Sequence, residues 1–229
     1  SGVVFAALDA YRPDPEARLH TFCHAVPGTW HAMGVMLSAA GALQWLRNAL
    51  GRPSYDELLA EAETSEAGTE GLLFQPYLQG ERTPHADPDA RGAFVGLTLR
   101  HGRGALTRAV LEGVAYGLRD SLELLRAVGV DAEVGRISGG GARSELWTAI
   151  VASVLGLPLE RTEAEEGAAY GAALLGAVRE GVFADARAAV EATVRVRDRI
   201  EPDPGRQAVY AEGYARYREL YPALRSAVS

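Results

Sequence analysis

Ser138-Gly139-Gly140-Gly141-Ala142-Arg143-Ser144 joins an apolar, strand-like segment to a helical pattern that reaches Leu155. The three consecutive glycines leave the backbone bare where the chain turns. A ligand can therefore approach the main chain and the free N–H groups at the start of the helix. In open α/β sheets, ligands usually bind at this end of a strand. The residues alone leave two interpretations open: a turn that holds a phosphate, a ribose or the edge of a purine, and a tight turn that binds nothing.

The segments that follow this turn alternate between strand and helix patterns. Residues 157–161 form a short apolar run typical of a strand, and helical patterns cover residues 166–180 and 207–224. Such alternation predicts an α/β fold in which helices pack on a sheet. No repeat, linker or low-complexity tract interrupts the 229 residues, so we expect one α/β domain with a mixed sheet flanked by helices.

The amino-terminal part of the chain is rich in strand patterns. Apolar segments at 3–8, 19–26 and 30–36 are separated by turns that contain proline or glycine. This spacing predicts three strands in an antiparallel meander. A buried strand is predicted at 71–78, and the polar loop at 79–92 is longer than a simple turn. Ordered loops of this length are often functional.

Helical patterns separate these strands from the glycine turn. Ser38 is expected to cap a helix that ends before Gly51. Ser54, with Glu57 three residues later, is typical of a capping box at the start of a second helix. A long helix is predicted over 105–128, and its charged residues are assigned to a solvated face. These residues are Glu112, Arg119, Glu123 and Arg126.

Composition excludes several classes of function. The chain carries 30 acidic against 23 basic residues, a net charge of −7, and shows no basic stripe, so we expect no nucleic-acid binding. Every basic residue is arginine, and without lysine neither a P-loop nor Schiff-base chemistry is available. No run of residues approaches the length of a membrane helix, and no basic leader precedes the first apolar segment, so we expect no membrane partner and no signal peptide. The single cysteine, Cys23, fits a reducing compartment, and we expect a cytoplasmic location.

A metal site is not expected. His20, Cys23, His24 and His31 suggest zinc, but on a strand Cys23 points away from His20 and His24. No second Cys/His pair completes four ligands at the usual spacing.

Three further segments have more ordinary interpretations. The small residues of 167–177 predict close helix–sheet or interdomain packing rather than catalysis. Tyrosines at helical spacing on the last helix predict a packing face; they are Tyr210, Tyr214, Tyr217 and Tyr221. Charged residues of the long loop either touch a ligand or hold the loop together, and the sequence does not decide between these roles. They are Arg82, Asp87, Asp89 and Arg91.

Taken together, eight segments resemble one protein family in sequence and in order along the chain. They are Ser1-Gly2-Val3-Val4-Phe5, His20-Thr21-Phe22-Cys23-His24, Pro27-Gly28-Thr29-Trp30-His31, Gly34-Val35-Met36-Leu37-Ser38, Gln75-Pro76-Tyr77-Leu78, Gly80-Glu81-Arg82-Thr83-Pro84, Gly96-Leu97-Thr98 and Gly139-Gly140-Gly141-Ala142-Arg143-Ser144. This set resembles the carbohydrate kinases of the FGGY family, and among them the members that phosphorylate D-xylulose.

The resemblance implies an actin/hexokinase-like (ribonuclease H-like) ATPase fold. It implies that residues 1–229 are the C-terminal, nucleotide-binding domain of a two-domain sugar kinase whose N-terminal, sugar-binding domain is absent. The implied reaction is transfer of the γ-phosphoryl group of ATP, with Mg²⁺, to D-xylulose, which gives xylulose 5-phosphate. The chain alone is then expected to be inactive, because the base and most sugar contacts are expected in the missing domain.

The resemblance also implies the nucleotide-binding residues, while no residue of the chain is assigned a catalytic or metal-binding role. They are Ser1, Gly2, Gly139, Gly140, Gly141, Ala142 and Ser144. The helix at 167–177 is expected near the connection between the domains. One segment departs from the related glycerol kinases, which keep a nucleotide-contacting glycine just after Gly-Leu-Thr, where this chain has Leu99-Arg100-His101-Gly102.

Two alternatives to this function remain open. One is a domain of a related kinase for ribulose, gluconate or glycerol. The other is a fragment that binds no nucleotide and acts only in packing or oligomerisation. The expected partners are a nucleotide and a ketopentose, and a homodimer is left open.

Overall fold

The computed structural model describes residues 1–164 and 167–228. In that part of the chain the strands are β1 (Gly2–Leu8), β2 (His20–Cys23), β3 (Trp30–Met36), β4 (Leu73–Gln75), β5 (Ala93–Val95), β6 (Gly135–Arg136), β7 (Leu159–Thr162) and β8 (Val196–Ile200). The helices are α1 (Ala40–Ala49), α2 (Tyr55–Glu63), α3 (Arg103–Ala127), α4 (Glu145–Leu155), α5 (Gly167–Arg179), α6 (Ala186–Thr193) and α7 (Pro204–Val228). No helix in these two ranges is both long and apolar enough to cross a membrane.

The first three strands form an antiparallel sheet in the order β1-β3-β2. The predicted strands and their antiparallel sense are confirmed, but the meander is wrong because β3, not β2, lies in the centre. The central strand β3 also lies close to α3: a Cβ atom at Gly34 would lie 2.5 Å from the Ser121 side chain. Such a contact with a distant helix leaves no local signal in the sequence.

The two short helices differ in how they begin. At α2 the predicted capping box is present, because Ser54 Oγ accepts from Glu57 N and the Glu57 carboxylate accepts from Ser54 N. At α1 the prediction that Ser38 is the cap is wrong: the N-cap is Ala39, without a side-chain hydrogen bond, and Ser38 is buried. Gly51, with φ at +82°, follows the end of α1 as predicted.

The long helix α3 is the centre of the core and packs against α1, α2, α4, β1, β3 and β4. The assignment of Glu112 to a solvated face is wrong, since Glu112 is only 2% exposed. Its carboxylate pairs with the equally buried Arg108 at 2.9 Å, and α7 covers the pair. The other three charged residues of that prediction are partly or fully exposed, as expected.

The predicted single mixed sheet is three separate sheets among the described residues. The mixed one contains β6, β7 and β8, with β6 and β7 parallel and β7 and β8 antiparallel. The predicted strand at 157–161 and the helix at 166–180 correspond to β7 and α5, although Glu166 itself lies outside the described residues. The sequence patterns missed β5, α6 and β8.

The last helix, α7, packs through its tyrosines, as predicted. The hydroxyl groups of the four residues each meet a partner from an earlier element. The pairs are Tyr210–Arg108, Tyr214–Asp120, Tyr217–Tyr77 and Tyr221–Asp87. By contrast, α5 has no buried residue, and Cβ atoms at Gly171 and Gly176 would meet nothing within 4 Å. The prediction of close helix–sheet packing is therefore wrong for these two glycines, whereas its alternative, packing between domains, stays a prediction.

Candidate functional site

A cavity of about 250 Å³ lies where the head of β1, the start of α1 and the glycine turn meet. Six of the seven predicted nucleotide-binding residues line it: Ser1, Gly2, Gly139, Gly140, Gly141 and Ala142. Its other lining residues are Val3, Ala39, Ala40, Val114, Leu118, Arg136, Ile137, Ser138, Trp147 and Val151. The structure therefore brings together residues that are more than 130 positions apart in the sequence.

The glycine turn divides its work among its three members. Gly139 has a φ of +88°, a backbone conformation that residues other than glycine rarely adopt. It precedes a 3₁₀ turn over Gly140–Arg143. Gly140 has no such constraint, and a Cβ atom there would meet nothing within 4 Å. A Cβ atom at Gly141 would lie 3.3 Å from the indole ring of Trp147. The backbone is thus open to the cavity at Gly140 and closed from below at Gly141.

Ser144, the seventh predicted residue, is the N-cap of α4. Its Oγ accepts a hydrogen bond from Trp147 N at 3.1 Å, which satisfies one of the free N–H groups at the helix start. Ser144 is not among the residues that line the cavity. Its contact with a nucleotide base stays a prediction, whereas its capping role is a structural fact.

The opposite wall of the cavity is formed by β1 and the start of α1. A Cβ atom at Gly2 would lie 2.7 Å from Ala39 Cβ, so the glycine allows the two elements to meet. Ala39 and Ala40, which the sequence reasoning missed, line the cavity at a helix end without a side-chain cap. A helix start of this kind carries partial positive charge and suits an anion. The two alanines that follow Ser38 cannot cap a helix with their side chains, and this sequence signal could have indicated the open helix start.

The charge of the lining also suits an anion. Among the described residues that line the cavity, Arg136 is the one charged side chain and no carboxylate is present. The Arg136 guanidinium is largely exposed, and its contact with Glu160 is 3.4 Å long. Magnesium prefers carboxylate and phosphate oxygens, and the described lining offers it no carboxylate.

Behind the turn, Arg161 on β7 contacts the carbonyl of Ala142. Its Nη1 donates to Ala142 O at 3.3 Å, while Nε and Nη2 donate to the two carboxylate oxygens of Asp198 at 2.7 and 2.8 Å. These hydrogen bonds lower the pKa of Asp198, so its carboxylate stays ionised at neutral pH. Neither residue was a candidate from the sequence.

The long polar loop is held together by its own charged residues. Asp87 accepts a hydrogen bond from the Tyr221 hydroxyl at 2.7 Å, and Arg91 lies 3.8 Å from Asp89. Glu81, 2% exposed, accepts from both Leu37 N and Arg82 N. Burial raises the pKa of Glu81 to about 7. Of the two roles left open for this loop, these contacts support the structural one for Asp87, Asp89 and Arg91.

The histidines of the first sheet lie in an aromatic cluster. The ring of His31 is 4.8 Å from that of Phe5 and 5.8 Å from that of His24, and burial lowers its pKa. Within residues 1–164 and 167–228, no three His, Cys, Asp or Glu side chains are placed to hold a metal ion. Cys23 is exposed and unpaired.

Comparison with known proteins places the whole arrangement in a family. Residues 1–180 match the model of the C-terminal domain of the FGGY family of carbohydrate kinases. The xylulose kinase of Escherichia coli (strain K12) is 40% identical over 227 residues, which cover 98% of this chain and 46% of that protein. The chain thus spans about half the length of the curated relatives it matches.

Solved structures agree in fold. A crystal structure of a "xyloylose kinase" from Brucella ovis has a TM-score of 0.89 and 42% identity, over 98% of this chain and 46% of that one. The xylulose kinase of Rhodospirillum rubrum has a TM-score of 0.86 and 34% identity, over 99% of this chain and 46% of that one. These neighbours confirm the actin/hexokinase-like α/β fold that the resemblance implied. The chain belongs to the FGGY family of carbohydrate kinases.

Proposed function

We propose that this chain is the C-terminal, nucleotide-binding domain of a two-domain kinase that phosphorylates D-xylulose with ATP. The observation that carries the proposal is the cavity between β1, α1 and the glycine turn, which combines open backbone with an uncapped helix start and no carboxylate. Family membership supports ATP as the phosphoryl donor. Xylulose as acceptor rests on relatives at about 40% identity that are xylulose kinases, while a gluconokinase of Bacillus subtilis (strain 168), 34% identical, supports the nearest alternative.

In the proposed complex, the adenosine lies on the bare backbone of Gly140–Ala142. The phosphates extend towards Ser1, Gly2 and the first turn of α1, where N–H groups and the helix dipole favour negative charge. Magnesium enters with the phosphates. The nucleotide is therefore oriented across the cavity, with its adenosine at the glycine turn and its phosphates at the start of β1.

The reaction itself is an in-line phosphoryl transfer. A primary hydroxyl of the ketopentose attacks the γ-phosphorus, the bond from that phosphorus to the β–γ bridging oxygen breaks, and the hydroxyl proton passes to a base. ADP and xylulose 5-phosphate are the products. No carboxylate lines the described cavity, so we assign the base and most sugar contacts to the other half of the enzyme. The exposed small-residue face of α5 is a surface that this other half would cover.

Calorimetric titration of the chain with ATP and magnesium tests the proposal. We expect a dissociation constant on the order of 0.1–1 mM, equal to about 4–5.5 kcal/mol, because only part of the nucleotide site is provided. AMP should bind nearly as well as ATP, because both carry the adenosine and the α-phosphate, and the contacts that hold the outer phosphates are assigned to the other half of the enzyme. If the wild-type chain binds no nucleotide at millimolar concentration, the alternative of a packing or oligomerisation fragment is favoured. A measurement of the molecular mass in solution then shows whether the chain forms a homodimer or a larger oligomer.

A further inference from the structure

We propose that Trp147 and Arg161 are positioning residues of the nucleotide site: they hold the glycine turn from two sides, and ATP affinity depends on both. Neither is assigned a role by the family resemblance. The proposal rests on the proposed function for its nucleotide, but the turn that the two residues hold is a feature of the structure itself.

Trp147 supports the turn from below. The residue is 6% exposed, and its ring lies against Gly141, where even a Cβ atom would come within 3.3 Å. Its backbone N–H is fixed by the Ser144 cap, and its indole Nε1 donates to Leu111 O at 3.1 Å. The indole is therefore tied to α4 at one end and to the central helix α3 at the other. The height of Gly141 above the core is set by this ring.

Arg161 supports the turn from behind. Its guanidinium, on a residue 9% exposed, donates to Ala142 O and makes a bidentate pair with Asp198 on β8. A guanidinium held at two of its nitrogens has little freedom, so the third nitrogen presents its N–H in a fixed direction. Asp198 lies beyond residues 1–180, the part that matches the family model. A segment outside that match thus contributes to the geometry of the site.

Both supports matter because the ligand contacts are made by backbone atoms. A side-chain ligand can rotate to recover a hydrogen bond, but a backbone N–H moves only when the turn moves. Binding groups must be held to within about 0.5 Å of their productive position. Removal of either support gives Gly140–Ala142 room to shift without unfolding the domain.

The test compares two variants with two matched controls. Trp147→Phe keeps a ring beneath Gly141 but loses the bond to Leu111 O, and Asp198→Asn weakens the bidentate grip on Arg161. Trp45→Phe alters another tryptophan, one that stacks on Phe74, and Arg199→Gln breaks the exposed pair between Arg199 on β8 and Glu201 just after it. We expect the dissociation constant for ATP to rise about 3- to 10-fold in each test variant and to stay within twofold in each control.

Two readouts separate positioning from a merely structural role. The indole N–H resonance that disappears in Trp147→Phe belongs to Trp147, and in the wild-type chain it should shift when ATP is added, while that of Trp45 stays in place. Amide hydrogen exchange at Ala142 and Ser144, whose N–H groups bond within the turn, should quicken about tenfold in Asp198→Asn without any nucleotide. Melting temperatures should remain within a few degrees of wild type.

The outcomes are distinct. Unchanged ATP affinity in both folded test variants would overturn the inference, and so would unchanged exchange in Asp198→Asn. If wild-type chain binds no ATP, the proposed function fails, and the exchange data alone then decide whether Trp147 and Arg161 hold the turn. If Trp147→Phe does not fold, Asp198→Asn carries the test, because its site on β8 is partly exposed.

Discussion

At the scale of single residues, the glycine turn shows how three identical residues take three roles. Gly139 is needed for its backbone conformation, Gly140 for open space and Gly141 for its contact with Trp147. The sequence predicts that the turn is bare, and it places Gly139 as the structural member. It favours Gly141 as the residue whose substitution would block a ligand without harm to the fold. Because the Trp147 indole lies against Gly141, a substitution at Gly140 is the better test of ligand binding without damage to the fold.

Gly140→Val should therefore abolish nucleotide binding in a folded domain. The new side chain would project where nothing lies within 4 Å, and its cost in stability should be less than about 1 kcal/mol. Gly139→Val should instead destabilise the fold by about 1–3 kcal/mol, because a β-branched residue is strained at φ of +88°. Urea unfolding and ATP titration of both variants check this. Wild-type ATP affinity in a folded Gly140→Val would contradict the proposed site.

Glu81 gives a prediction about pH. Its pKa is raised by burial from 4.5 to about 7, so the folded state binds a proton that the unfolded state has released. The stabilisation this brings is complete below pH 4.5 and is lost as the pH rises to 7. Glu81→Gln keeps an oxygen to accept from Leu37 N and Arg82 N, and should make the chain more stable at pH 8 by on the order of 1 kcal/mol. Denaturant midpoints from pH 4 to 8 that fall equally in both proteins would show that Glu81 is not the cause.

At the scale of elements, local signals were predictable and distant ones were not. The Ser54–Glu57 box and the stop at Gly51 depend on neighbours within a few residues, and both are correct. The burial of Glu112 depends on α7, since Tyr210 lies 102 positions after Arg108. The close approach of β3 to α3 likewise joins distant residues, since Gly34 lies against Ser121. Periodicity within one element carries no information about these partners.

The tyrosine face of α7 should contribute unequally along its length. Tyr210→Phe would leave a buried Arg108 N–H without its partner, which costs about 1–3 kcal/mol. Tyr221→Phe removes a bond to Asp87 near the surface, where water can replace it, and should cost less. Urea unfolding of the two variants gives the comparison. Each substitution keeps the aromatic ring, so any loss of stability comes from the hydroxyl. Equal losses in the free energy of unfolding would mean that burial of the hydroxyl does not determine how much its hydrogen bond stabilises the fold.

At the scale of the whole molecule, the fold class and six residues of the candidate cavity followed from the sequence, because a family resemblance carries long-range information that single elements lack. The supports of the turn did not follow. In the sequence, Trp147 is one of many apolar residues on a helix. The partner of Arg161 is a carboxylate on β8, and this strand has too many charged residues to be recognised as a strand from the sequence. Their roles come from packing, which only the assembled domain reveals.

The last prediction concerns the chain as a unit: by itself it should bind nucleotide but not phosphorylate sugar. The cavity holds no carboxylate that could take the hydroxyl proton, and the chain spans about 46% of its E. coli relative. In an assay that couples ADP formation to NADH oxidation, a homogeneous sample with ATP, magnesium and D-xylulose should give no rate above that of the Gly140→Val control. A rate that requires D-xylulose and disappears in Gly140→Val would place base and sugar site within these 229 residues. The assignment of both to another half of the enzyme would then be wrong, while the nucleotide site would stand.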